Sequence, residues 1–144
     1  VSAVPAAGAA VVDAAAAFRR RAEIAREFPH AWAGGLAALT VRVPTAHEAA
    51  LLGARFPSDD PAQPLKYFRA LIVQAVVGWV NVVEHMLVPV EPEPTGMVGP
   101  PVPFAPDLVP LLLDANPAGE AALRDALADR ILARNARVGD QQKN

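Results

Sequence analysis

Seven prolines fall within the eighteen residues from Pro89 to Pro106, with Gly96 and Gly99 among them. Proline lacks an amide donor and disfavours a helical residue before it, so this stretch excludes both helix and central strand. It predicts an extended, partly polyproline arm or linker over 89–106. The arm divides the chain into an N-terminal helical part, 1–88, and a C-terminal helical segment, 107–144. A connection this long without regular structure is uncommon inside a compact domain and is usually functional or disordered. Val98, Val102 and Phe104 form an apolar patch within it that no sequence-local face covers. Val102 and Phe104 are expected to be buried against another chain, or against the back of a Leu65–Leu87 helix.

Hydrophobic periodicity supplies the other elements. Ala9 to Phe28 reads as an amphipathic helix, with Val11, Ala15, Phe18, Ala22 and Ala25 on one face and Asp13, Arg19, Arg20, Glu23, Arg26 and Glu27 opposite. Pro29 is expected to close it, and Gly34-Gly35 mark a loop. Leu39 to Val43 alternates apolar and polar residues, which predicts a short strand. Thr45-Ala-His-Glu48 has the spacing of a capping box and opens a helix to about Arg55.

After a turn at Ser58–Pro61, Leu65 to Leu87 is expected to be the longest helix and the centre of the core. Lys66, Arg69, Gln74, Asn81, Glu84 and His85 fall within a sector of about 160° at the helical repeat. Phe68, Ile72, Ala75, Trp79, Val82, Val83 and Met86 occupy the other side. Beyond the arm, Asp107 to Leu113 predicts a short helix with Pro110 near its first turn. Asn116-Pro117 gives an N-cap and N1 proline for a last helix to about Arg137. Leu123, Leu127 and Ile131 stripe that helix, Glu120 and Arg124 are spaced as a surface pair, and Gly139 suits its stop. The expected fold is mainly α: a small helical domain around one central long helix, with at most one short strand or hairpin and a Pro-rich extended arm.

Composition narrows the function classes. The chain has 144 residues, 31 of them alanine, a formal net charge of −2 and no cysteine. That length suits one domain. The missing cysteines exclude a disulfide framework, a thiolate zinc site and a cysteine nucleophile. Near neutrality argues against a general nucleic-acid binder. The charged and amide residues inside 65–88 argue against a membrane span, and Val1–Ala10 lacks the basic start of a secretory signal. His30, His47 and His85 have no paired zinc spacing, Ser2 and Ser58 no nucleophile elbow, and Gly34-Gly35 no phosphate-loop lysine. Asp59-Asp60 and Asp107 are explained as turn and cap residues. The reading is therefore of a protein with no catalytic, cofactor or metal residues. Arg19-Arg20-Arg21 is the one dense basic cluster. It is a solvated face balanced by Glu23 and Glu27 or a contact for an acidic protein partner; phosphate binding is the weaker alternative, without interleaved aromatics or a net basic domain.

Several segments resemble small tail assembly chaperones and related morphogenesis proteins of tailed phages. They are Thr40–Thr45, the run Val76-Val-Gly-Trp79-Val-Asn-Val82, Pro101-Val-Pro-Phe104-Ala-Pro-Asp-Leu108, Leu111–Pro117 and the close from Arg134 to Lys143-Asn144. The likeness is diffuse over residues 40–144 and contains no catalytic motif. It implies a non-enzymatic role: binding tape-measure, tube or capsid subunits as a member of an assembly, in the host cytoplasm or in the virion. Arg19, Arg20, Arg21, Val98, Val102 and Phe104 are the candidate partner-binding residues. Two other readings stand beside it, a structural head decoration or head–tail connector subunit and a small bacterial ligand-binding or enzymatic helical domain.

Overall fold

A computed structural model describes residues 7–143, with side chains from Asp13 to Asp140. Its elements run α1 (Ala7–Ala25), β1 (Glu27–Trp32), β2 (Ala37–Arg42), α2 (Ala46–Gly53), α3 (Gln63–Ala75), β3 (Val76–Val80), α4 (Glu84–Leu87), α5 (Val109–Ala115) and α6 (Pro117–Lys143). Short 3-10 turns lie at Ala33–Gly35 and Pro106–Leu108. The strands form one antiparallel sheet in the order β1-β2-β3. This corrects the mainly-α expectation. The described residues mix six helices with a three-stranded sheet, and no single central helix among them organises the domain.

The expected helix 65–87 is three elements. α3 ends at Ala75 and the chain passes directly into β3, where Val41, Thr40, Leu39 and Ala38 of β2 stand opposite Val76, Gly78, Trp79 and Val80. A bulge between Thr40 and Val41 absorbs the register shift. The residues Val76-Val-Gly-Trp-Val combine β-branched and aromatic side chains with a helix-weakening glycine, and pairing with β2 selects the strand. Asn81 then turns the chain at φ 62°, a left-handed conformation that asparagine tolerates. Glu84 and His85 belong to the separate short helix α4.

At the front, α1 stops three residues before Phe28, because Phe28 and Trp32 are core residues of β1. Pro29 does not close the helix; it sits in β1, an edge strand, where a missing amide donor is tolerated. Only Arg26 separates α1 from β1, and the turn carries α1 off the core. The apolar face of this amphipathic helix meets solvent: every residue from Asp13 to Ala22 is exposed, including Phe18 at 64%. Val11 lies outside the residues whose side chains are described.

Other local signals operate as their chemistry requires. Thr45 and Glu48 form the full capping box, Glu48 N–H donating to Thr45 Oγ1 at 3.1 Å and Thr45 N–H to Glu48 Oε1 at 3.0 Å. Ala37, Leu39, Val41 and Val43 all point into the core from β2 and its continuation. Asn116 caps α6 by accepting from Gly119 N–H at 2.9 Å. Gly139 does not stop that helix, which continues to Lys143. One core cluster joins Leu71, Ile72 and Ala75 of α3, Val109, Leu112 and Leu113 of α5, and Leu123 and Leu127 of α6 to the inner face of the sheet. Arg69 bridges α3 to this C-terminal pair of helices. It donates to Glu120 at 2.5 and 2.8 Å and to Asp114 at 2.9 Å, so Glu120 is held by Arg69 rather than by Arg124.

Candidate interaction surfaces

α1 is stabilised by its own sequence more than by packing. Alanine has the highest helix propensity, so an alanine-rich segment of 19 residues stays helical with little core contact. Its root is fixed by an ion-pair network. Arg42 of β2 donates to Glu27 at 2.8 Å and lies 3.7 Å from Glu23, while Arg20 lies 3.2 Å from Glu23 and 3.9 Å from Glu27.

Three consecutive arginines on a helix diverge by about 100° each, and they serve different ends here. Arg20 belongs to the root network. The Arg21 guanidinium stacks 4.6 Å above the Phe18 ring, a cation–π contact at an exposed site. Arg19 is exposed on the same helix. Phe18 and the alanines near it therefore form a shallow apolar strip with Arg19 and Arg21 along its flanks.

The arm folds back on its own chain. Val102 N–H donates to the Val82 carbonyl at 2.6 Å, and the Val102 carbonyl accepts from Trp79 Nε1 at 2.8 Å. An isolated bridge pairs Val83 with Pro101. The Phe104 ring meets Trp79 edge-on, with centroids 5.0 Å apart and planes at 89°. The structure thus brings Val102 and Phe104 together, both partly buried, on the indole of β3. Val98, 52% exposed, stays apart from them, and no described contact joins the arm to Arg19–Arg21.

Between the arm and the Ala33–Gly35 turn lies an open cleft of about 510 Å³, lined by Trp32, Leu36, His85, Met86, Glu91 and Asn116 among others. Two of its polar groups already have partners. His85 Nε2 is 3.2 Å from the Gly96 carbonyl, and Asn116 caps α6. Titration elsewhere follows local structure. Burial pushes the His30 imidazole below its ordinary value. The Thr45 amide, and then Arg26, hold the Glu48 carboxyl below its own. Among the described residues no cluster of histidine and carboxylate side chains has the geometry to hold a metal ion, and no helix is long and apolar enough to cross a membrane.

One group of residues has no signal in the sequence. Arg26 and Arg134 converge on the β2–α2 corner from positions far apart in the chain, and neither lies in a motif. Comparison with protein-family models, with curated proteins and with solved structures finds no match for this chain.

Proposed function

We propose that this chain is a non-enzymatic assembly protein of the tailed-phage kind, and that α1 is the element it offers to its partner. The observation that supports the reading is the exposure of Phe18 on a helix whose described alanines, Ala14–Ala17, Ala22 and Ala25, are all exposed as well. An amphipathic helix laid along such a strip gains apolar burial, and helix-to-helix docking is a common recognition mode. Arg19 and Arg21 flank the strip, so the partner helix is one with carboxylates beside its apolar stripe, as a helix of a tape-measure or tube subunit would have to present. Val102 and Phe104, held on Trp79, set the shape of the domain rather than grip a neighbour.

The test is co-expression of the tagged chain with tail-tube and tape-measure subunits, followed by native mass spectrometry. A defined complex with one of them is expected for the parent. It should be lost in Phe18→Glu and weakened in Arg19→Glu with Arg21→Glu, while circular dichroism stays unchanged. Retention of the subunit by all variants, or a chain that stays alone in every mixture, would refute the reading. Stable incorporation into mature particles would favour a structural virion component over a chaperone.

A further inference from the structure

The corner between β2 and α2 holds a second meeting of arginines, remote from Arg19–Arg21. Arg26 Nη1 donates to the Val43 carbonyl and to Glu48 Oε1, both at 2.8 Å. Arg134, reaching across from α6, donates from Nη1 to the next carbonyl, that of Pro44, and from Nη2 to Asn135 Oδ1 at 3.4 Å. Two guanidiniums are thereby fixed on successive carbonyls. An open cavity of about 440 Å³ lies between them, lined also by Thr45, Ala46, Asn135, Val138 and Gly139. Its size is within the usual range for small-ligand sites.

The charge balance is specific. Glu48 answers Arg26, whereas Arg134 has no carboxylate within ion-pair distance among the described residues. Two guanidiniums less one carboxylate leave one positive charge. The first turn of α2 adds no open donor at Thr45 or Glu48, because the capping box uses both amides. Arg134 is thus the attracting group. It is only partly exposed, and a guanidinium carries more N–H donors than its present contacts use. The surrounding wall is mainly apolar, so a strongly hydrated dianion such as phosphate fits it poorly. A single carboxylate on an aliphatic stem matches both the charge and the wall.

We propose that this cavity binds a monocarboxylate with a short aliphatic stem, its carboxylate on Arg134 and its stem along Val138 and Gly139. Two sources present that chemistry, the free C-terminus of a peptide ending in leucine and a free aliphatic acid. The site is independent of the partner proposed for α1. The experiment is isothermal titration of the whole chain with an acetylated tripeptide ending in leucine, with the same peptide as its C-terminal amide, with hexanoate and with inorganic phosphate.

Saturable binding of the peptide acid or of hexanoate is expected, and the tighter of the two identifies the source. The amide should bind at least tenfold more weakly than the acid. Arg134→Gln should cost at least tenfold. Gly139→Met should cost as much by filling the cavity. A Cβ at Gly139 meets no atom within 4 Å, and replacing a helical glycine raises helix propensity, so this second variant keeps its fold even if Arg134→Gln does not. Equal binding of acid and amide, tighter binding of phosphate than of either carboxylate, full affinity in Gly139→Met, or no saturable binding by any of the probes would overturn the assignment.

Discussion

Trp79→Ala tests the link between the sheet and the arm. Trp79 is 8% exposed on β3, a strand rather than a helix, and it holds the arm in two ways. Truncating a large buried aromatic costs about 3–5 kcal/mol through lost transfer energy and the cavity left behind. Part of that cost can be isolated. Trp79→Phe keeps a ring but removes the Nε1 donor, leaving the Val102 carbonyl without its side-chain partner, a loss of about 1–3 kcal/mol if water cannot replace it. The edge-on pair with Phe104 is worth about 0.5–1.5 kcal/mol beyond area burial. Urea unfolding followed by far-ultraviolet circular dichroism should show Trp79→Ala less stable by the full range. A double-mutant cycle with Phe104→Ala should return a coupling of about 1 kcal/mol. Limited proteolysis should cut Trp79→Ala first within 89–106, because the arm has lost its anchor. A Trp79→Ala protein within about 1 kcal/mol of the parent, or strictly additive single changes, would show that indole and arm are not coupled.

Two glycines make opposite predictions. At Gly119 a Cβ would meet Trp32 and Asn116 at 2.8 Å, so Gly119→Ala should destabilise by about 1–3 kcal/mol in thermal melts despite its better helix propensity. At Gly78 the nearest atoms are Thr40 at 3.8 Å, ordinary contact, and Gly78→Ala should be neutral or slightly stabilising in the same assay. Arg69→Met removes the bridge from α3 to Glu120 and Asp114 and should cost about 1 kcal/mol, less at high salt because the pair is partly exposed. Acid should destabilise the fold in two stages. The partly buried His30 has a depressed pKa, so the unfolded chain binds more protons; stability falls as pH drops through the ordinary imidazole range, and His30→Gln should remove that stage in pH-dependent melts. Glu48, also depressed, contributes above the carboxylate range and loses that contribution as pH falls through its folded value, a loss that Glu48→Gln should abolish.

Where a short-range rule governs an element, the residues show it in advance. Thr45 and Glu48 satisfy each other three residues apart, Asn116 and Pro117 begin α6 by cap chemistry alone, and Leu39, Val41 and Val43 alternate because β2 is central with one face in the core. The errors arise where a distant partner decides. Trp79 fits a helical wheel as well as a strand until β2 offers its edge, and Val82 and Val83 until the arm pairs with them at Val102 and Pro101. Phe28 belongs to the periodic pattern of α1, yet the sheet claims it and Arg130 covers its ring at 4.5 Å. The surfaces divide in the same way. Arg19–Arg21 and Val98–Phe104 are visible as runs, although their separate roles depend on Glu23, Glu27 and Trp79. Arg26 and Arg134 are invisible, because nothing in either neighbourhood reveals that both end on carbonyls of one corner.

The single residue between α1 and β1 makes the first helix a lever with a very short fulcrum. Its 19 residues span about 28 Å, so a rotation of only 10° at Arg26 would swing the far end by roughly 5 Å. The bearing is held by the Arg26 bonds to Val43 and Glu48 and by the Arg42 pairs with Glu23 and Glu27. Salt or acid that loosens those few contacts is expected to change the aim of the opposite tip. A body docked on α1 would therefore be oriented, and not merely tethered, by chemistry at the β2–α2 corner.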